Sequence, residues 1–145
     1  MATIKLEVVS PDRVVYANDI AMLIVRSTAG ELGILPRHAP LVTGLIPHAM
    51  RIKLNGGAEE QLLAVSGGFM EVTPEKITVL ASAAEGPDNI DVNRAQKAYQ
   101  RAKERIAAFH QGAPVKDKDF DVKRAEFALQ RAKARLVAAK AHFDE

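Results

Sequence analysis

The spacing of apolar residues along this chain changes once, close to residue 85. Before that point, short apolar or alternating segments are separated by Gly and Pro at intervals typical of β-strands and turns. Regular turn signals with β-branched residues between them predict an antiparallel β-sandwich or barrel, and we take the sandwich as the fold. The segments that fit strands are Ile4–Val9, Val14–Ala17, Ala21–Arg26, Leu32–Leu35, Leu41–Ile46, Ala49–Leu54, Gln61–Val65, Phe69–Val72 and Ile77–Leu80.

Three turn signals stand out within this region. The pair Asn55-Gly56 ends an alternating segment and predicts a hairpin. Residues Pro74–Lys76 fit the turn between the last two predicted strands. The run Ser66-Gly67-Gly68 lies between strands and not before a helix, so we interpret it as a further turn and not as a phosphate-binding loop.

The last third of the chain is an internal repeat. Residues 90–106 and 120–136 are identical at ten of seventeen aligned positions, with an offset of thirty. Apolar residues recur at steps of three and four in both copies, which predicts two amphipathic helices. Because Gln111–Pro114 breaks the pattern, we expect an antiparallel helical hairpin over residues 86–145, after a sandwich over residues 1–85. The predicted seam residues are Val92, Ala95, Tyr99, Ala102, Ile106 and Phe109, then Val122, Ala125, Leu129, Ala132, Leu136, Ala139 and Phe143. The predicted fold class is therefore α+β.

Alanine is the most frequent residue of this seam. Alanine lets two helices approach closely but buries little apolar surface, at about 0.8 kcal/mol per buried methylene. Helices shorter than about twenty residues are marginal without packing. We therefore expect a hairpin that can open.

Charge is unevenly divided over the 145 residues. Residues 1–85 hold seven Lys/Arg against nine Asp/Glu, and residues 86–145 hold thirteen against nine. A basic hairpin fits an acidic partner surface or a bound anion. The chain has no cysteine, an N-terminus unlike a signal peptide and no apolar run of membrane-spanning length. We expect a soluble, cytoplasmic chain that can still sit on a membrane complex.

Arginines flank the seam of both predicted helices. They precede seam residues at Arg94, Arg101 and Arg105, and again at Arg124, Arg131 and Arg135. Two interpretations stay open: solvated flanks whose stems cover the alanines, or a forked binding surface for phosphate. Asp91 has the same ambiguity, because its repeat partner Asp121 favours a helix cap while a ligand role is also chemically reasonable.

Other classes of function have little support. The four histidines lack metal-ligand spacing, and the sequence contains no nucleophile elbow, zincin or P-loop motif. Interleaved acidic residues and few aromatics argue against nucleic-acid binding. The alanine-rich helix faces have little bulk for membrane insertion. We therefore predict a chain that is not an enzyme.

The segment Gly30–Thr43, GELGILPRHAPLVT, resembles the signature of the ATP synthase epsilon subunit. Residues Val65–Val72, Ile77–Ala81 and the Arg-Ala repeats of the helical tail agree with that family in the same order. The chain departs from the family at Arg37, where glycine is usual, and at Pro47-His48, where Pro-Gly is common. Both departures fall at expected turns.

The resemblance implies a non-catalytic rotor subunit of a bacterial F-type ATP synthase. Its sandwich would bind the γ subunit and the c-ring, with Glu31 and His38 toward these partners. Its hairpin would inhibit ATP hydrolysis by extending toward the catalytic β subunits and α. The complex would hold the chain on the cytoplasmic face of the plasma membrane, with no direct nucleic-acid or membrane partner.

The resemblance also implies a regulatory ATP site on the folded hairpin, with no cofactor required. The family motif I/L-D-x-x-R-A matches Ile90, Asp91, Arg94 and Ala95. The second-helix pair matches Arg131 and Arg135, and Glu85 stands where the family places a further acidic contact. The alternative that we keep is a free-standing ATP-sensing module that needs no complex.

Overall fold

The computed structural model describes residues 2–112 and 121–143. Within these residues eight strands precede two helices, and short 3₁₀ turns lie at Asn55–Gly57 and Pro87–Asn89. The strands are β1 (Ile4–Val9), β2 (Val14–Ile20), β3 (Met22–Ser27), β4 (Gly30–Ile34), β5 (Leu41–Leu54), β6 (Glu59–Val72), β7 (Lys76–Ala81) and β8 (Ala84–Glu85). The helices are α1 (Val92–His110) and α2 (Val122–Ala138).

The strands form one sheet in the order β2-β1-β7-β6-β5-β3-β4, with β8 paired to β6. The sheet folds back on itself, because inward residues from both of its halves, such as Leu6, Leu23, Met50 and Val79, share one apolar core. The pairing of β1 with β7 is parallel, and the other described pairings are antiparallel. The predicted sandwich followed by two helices is confirmed.

Strands β5 and β6 are longer than the sequence pattern predicts. Each was expected as two short strands, but each runs unbroken over 14 residues. The predicted turn at Ser66-Gly67-Gly68 is wrong, because both glycines lie inside β6 at φ 103° and 141°. A Cβ on Gly68 would lie 2.1 Å from the carbonyl oxygen of Leu80. Glycine here permits a bend and a close approach to β7 without ending the strand.

Of the remaining predicted turns, one is wrong and the others are confirmed. The predicted turn at Pro47-His48 is wrong, since both residues lie within β5. Arg37 does occupy a turn, with a φ of 66° in the left-handed region where glycine costs nothing. The predicted hairpin turn after β5 and the turn before β7 are confirmed: Ala58 N–H bonds Asn55 O, and Thr73 N–H bonds Lys76 O.

The hairpin follows its local signals. The Asp91 carboxylate accepts a hydrogen bond from Arg94 N–H, and the Asp121 carboxylate accepts from Lys123 and Arg124 N–H. Both aspartates are therefore helix N-caps. Along the seam, Ala95 and Tyr99 on α1 pack against Ala132 and Leu136 on α2. Phe109, predicted for the seam, is instead exposed, and the predicted break after Gln111 extends into residues 113–114, outside the described residues.

Helix α2 lies against β5 and β6, and α1 packs on α2. The helix-to-sheet contact is a small cluster of Ala64 and Ile90 with Ala134 and Ala138. This cluster is separate from the sandwich core. Because alanines supply most of it, the hairpin is attached to the sheet by little apolar area.

Candidate functional site

The residues that suggest a nucleotide site come from three elements. The short strand β8 places Glu85 beside α2, where its Oε1 lies 2.8 Å from Arg135 Nε. Both side chains are part-buried. A charge-assisted bond of this length fixes the Arg135 guanidinium at the junction of sheet and hairpin.

The motif residues at the start of α1 are held by packing and capping. Ile90 is buried against Ala134 and Ala138, and Ala95 is buried in the seam beside Ala132. Asp91 caps the helix, with Oδ1 3.1 Å from Arg94 N. Helix capping therefore occupies one oxygen of Asp91 and leaves the second free of that bond.

Two further arginines remain available to an anion. Arg94 is exposed and Arg131 is half-buried, and neither side chain bonds a residue within 2–112 or 121–143. Each precedes a seam residue, and in an antiparallel pair such positions lie along the same edge of the two helices. We therefore expect Arg94, Arg131 and Arg135 along one edge of the hairpin, and of these the structure shows Arg135 bonded to Glu85.

Three cavities border the hairpin, and the seven predicted nucleotide residues line none of these three. The cavity of about 640 Å³ between α2 and the sheet is lined by Arg26, Glu31, His48 and Lys133, among others. The predicted nucleotide residues therefore lie outside these three cavities. Among the described residues, no group of three or more His, Asp or Glu could hold a metal ion.

His48 is the buried histidine of the sandwich. Its Nε2 accepts a hydrogen bond from Arg26 N–H at 3.1 Å, and its Nδ1 lies 2.6 Å from Ile46 O. Arg26 lies at the register shift in the β3–β5 pairing between Ile24 and Ser27, so the His48 ring accepts a backbone N–H at that irregularity. Burial lowers the pKa of His48 below its usual 6.5, against the opposing effect of the Ile46 carbonyl.

The two predicted partner-contact residues lie in different settings. Glu31 is exposed on β4. His38 is half-buried in the loop after β4, with Nδ1 2.7 Å from Ala39 O. Glu31 borders the cavity beside α2, and His38 does not. Their role toward a partner stays a prediction.

A band of apolar side chains, four of them exposed and one, Val9, half-buried, crosses the outer face of the sandwich, and the sequence analysis missed it. Phe69 on β6 pairs with Leu80 on β7, which pairs with Val9 on β1, which pairs with Val14 on β2. Val42 on β5 lies diagonal to Phe69. The exposed fractions are 73% for Val42, 64% for Phe69 and 57% for Leu80. We call these five residues the apolar band.

A sequence signal for the band exists. Phe69-Met70 and Val79-Leu80 are adjacent apolar pairs, and neighbouring residues of a strand point to opposite faces. Since Met70 and Val79 are buried in the core, Phe69 and Leu80 must face outward. Contiguous exposed apolar surface of this kind marks interaction sites.

Neither described helix is long and apolar enough to cross a membrane.

Comparison with known proteins agrees with this geometry. Residues 3–87 match the family described as ATP synthase, Delta/Epsilon chain, beta-sandwich domain. Residues 88–140 match the ATP synthase, Delta/Epsilon chain, long alpha-helix domain.

Similar chains come from bacteria. The ATP synthase epsilon chain of Alkalihalophilus pseudofirmus is 52% identical over 113 residues, covering 78% of this chain and 84% of that one. The epsilon chain of Halalkalibacterium halodurans is 48% identical over 120 residues, covering 83% and 86%. In a cryo-EM structure of the Euglena gracilis mitochondrial ATP synthase, with OSCP, F1 and c-ring, a chain matches with TM-score 0.75 and 24% identity, covering 97% of this chain and 82% of that chain.

The likeness to the Euglena chain shows the fold alone, whereas the bacterial relatives and both family matches show the family. They confirm the resemblance read from Gly30–Thr43, and with it a non-catalytic subunit and not an enzyme. The chain belongs to the ATP synthase delta/epsilon chain family, among its epsilon chains.

Proposed function

We propose that this chain is the central-stalk subunit that couples c-ring and γ rotation in a bacterial F-type ATP synthase, and that its hairpin restrains ATP hydrolysis. The observation that carries the proposal is the apolar band on a sandwich whose hairpin docks elsewhere. Such a chain offers one rigid surface for permanent attachment and one separate element that can move.

The γ subunit is the partner that we assign to the apolar band. Phe69 and Leu80 are adjacent across strands and Val42 extends the surface, so a partner could bury a contiguous apolar area. Burying one large apolar side chain contributes about 1.5–3 kcal/mol. We assign the c-ring to the end of the sandwich with Glu31 and His38, which would keep the chain on the cytoplasmic membrane face through the complex.

The hairpin is the element that we expect to switch. Its docking cluster is built largely from alanines and is separate from the sandwich core. A structure held by few apolar contacts opens at low free-energy cost. In the open form, the basic helices would reach acidic surface of the catalytic β subunits, with α beside them, and block hydrolysis.

ATP is the ligand that we expect to favour the docked hairpin. Arg94, Arg131 and Arg135 would bind phosphate oxygens, and Ile90, Asp91, Ala95 and Glu85 would surround the remainder of the nucleotide. A ligand that binds only the docked form stabilises it by about 2.7 kcal/mol at one hundred times its dissociation constant. That energy changes a ratio of about one to ten into about ten to one.

Attachment through the band can be tested with the purified γ subunit. Phe69→Asp places a charge at the centre of the band, and we expect binding to weaken by more than about tenfold. Lys5→Glu changes charge on β1 outside the band and should bind like the unmodified chain. Equal binding by Phe69→Asp and the unmodified chain would reject the band as the γ surface.

Inhibition of ATP hydrolysis by the hairpin has to be tested in the assembled complex. Removing all residues after 86 should raise its ATP hydrolysis while γ still binds. An unchanged rate would mean that the hairpin is not a brake in this enzyme. If the isolated chain binds ATP but never γ, the free-standing sensor replaces the rotor proposal.

A further inference from the structure

After α2 the chain reverses direction. Ala141 N–H bonds Leu136 O at 2.9 Å and Lys140 N–H bonds Val137 O at 3.0 Å. Lys140 has a φ of 55°. These bonds are the Schellman arrangement, with Lys140 at the left-handed position that glycine usually occupies. The helix therefore ends at Ala138, and the predicted helical seam through Phe143 is wrong in its last turn.

The reversed segment Ala141–Phe143 lies on α1. The Phe143 ring meets the Tyr99 ring edge-on, with centroids 5.3 Å apart and an interplanar angle of 67°. The Gln96 side-chain amide donates a hydrogen bond to the His142 carbonyl at 3.1 Å. Lys103 Nζ lies 5.9 Å from the Tyr99 ring centroid, so that ring also contacts a cation.

These contacts lie at the end of the hairpin where no chain segment connects the two helices. The residues between α1 and α2 connect the helices at one end of the hairpin, and Ala141–Phe143 lies at the other. Phe143 and Ala141 pack against the seam cluster of Tyr99, Ala132 and Leu136. Since Ala95 and Ala132 supply little apolar area to this cluster, the Tyr99–Phe143 ring contact adds a large apolar contact at the end without a connection.

We propose that Ala141–Phe143 is a latch that docks on Gln96 and Tyr99 and holds α1 against α2. The latch stabilises the closed hairpin in the absence of any ligand or partner. It deepens the proposed function, on which it rests for its biological role, because it biases the same hairpin that we propose ATP to control. The left-handed Lys140 weakens the latch, since a side chain there is less favourable than glycine.

Hydrogen exchange of the isolated full-length chain, without nucleotide, tests the latch directly. Phe143→Ala removes the ring, and we expect the α1 amides from Ala95 to Lys103 to exchange about 3- to 10-fold faster. Phe127→Ala is the matched control, because Phe127 is on α2, 47% exposed and outside the seam clusters. Lys140→Gly should act in the opposite direction and slow the exchange of the same amides.

The contact itself can be isolated by a double substitution. If Phe143 acts through Tyr99, adding Phe143→Ala to Tyr99→Leu changes the exchange much less than it does in the unmodified chain. Equal exchange in Phe143→Ala and Phe127→Ala overturns the latch. So does an undiminished effect of Phe143→Ala in the Tyr99→Leu background.

The latch and the proposed inhibition of hydrolysis can be rejected independently of each other. Faster exchange in Phe143→Ala with unchanged hydrolysis by the assembled complex supports the latch and counts against the brake. Unchanged exchange overturns the latch whatever the complex does.

Discussion

Arg135 on α2 and Glu85 on β8 form an ion pair between hairpin and sandwich, with Nε and Oε1 2.8 Å apart. The side chains are 30% and 29% exposed. A pair at this depth contributes less than a fully buried one, on the order of 1 kcal/mol or below. The pair helps to hold α2 in place but does not fix it there.

Glu85→Gln removes the charge and keeps the shape. We expect the α2 amides near Arg135 to exchange about 2- to 5-fold faster, because the loss of a partly exposed pair weakens docking modestly. Glu71→Gln is the control, since Glu71 is exposed on β6 away from the hairpin. The effect should shrink in 1 M salt, where the screening length is about 3 Å. A Glu85 effect that persists at high salt would contradict an electrostatic role.

The internal repeat supplies a control for nucleotide binding. Arg94 and Arg124 occupy equivalent positions in the two copies, but Arg94 is in the first turn of α1, whereas Arg124 is in the first turn of α2, at the opposite end of that helix from Arg135 and its partner Glu85. Calorimetry with magnesium and ATP should show binding at least about tenfold weaker in Arg94→Ala and Arg131→Ala, because charge-assisted bonds to phosphate are lost. Arg124→Ala should bind like the unmodified chain. Equal losses at Arg94 and Arg124 would indicate diffuse attraction to a basic surface and not a site.

Gly68 is the glycine that we expect to tolerate substitution least. Its φ of 141° and the Cβ distance of 2.1 Å to Leu80 O leave no room for alanine. Gly68→Ala should lower the free energy of unfolding by about 3 kcal/mol or more, since β6 or β7 has to move. Gly86→Ala is the matched control, because a Cβ there meets nothing closer than Leu63 Cδ1 at 4.0 Å. Chemical denaturation of both variants checks this, and equal midpoints would contradict it.

The features predicted from sequence are those that short-range signals determine. Asp91 and Asp121 cap their helices through bonds to residues two and three positions away. The three-and-four spacing placed Ala95, Tyr99 and Ala132 in one seam. For the candidate site, the motif identified the residues. The Glu85–Arg135 ion pair joins residues fifty positions apart, so it could be seen only in the folded structure.

The features missed from sequence depend on contacts between distant segments. Gly67-Gly68 signals a turn locally, but pairing with β5 and β7 keeps it within a strand. The helical pattern continues to Phe143, yet Lys140 ends it, and the ring reaches Tyr99 by a reversed backbone. The apolar band was missed because each of its residues is unremarkable until five strands are placed side by side.

His48 should make the stability of the sandwich depend on pH. The folded chain favours the neutral ring, whose Nε2 accepts from Arg26 N–H, and a protonated ring loses that acceptor. Among nearby charges, Arg26 lowers its pKa and Glu31 raises it, and Arg51, Glu60 and Lys133 line the same cavity. Burial remains the largest cause and lowers the pKa below 6.5.

The direction in which stability changes with pH follows from proton binding. As pH falls below about 6.5, the unfolded chain binds a proton that the folded chain resists, so the stability present at pH 7.5 declines by at most about 1.4 kcal/mol per pH unit. Denaturation midpoints at pH 7.5 and 5.0 measure this decline, and His48→Gln should reduce it. Hydrogen bonds from Arg51 and Lys53 lower the pKa of Glu60 from 4.5 to about 2, and since both values lie below pH 5.0, its stabilising contribution is lost mainly below this range. His38→Gln, a change at the half-buried histidine after β4, should leave the decline intact, and an equal reduction in both variants would remove His48 as its cause.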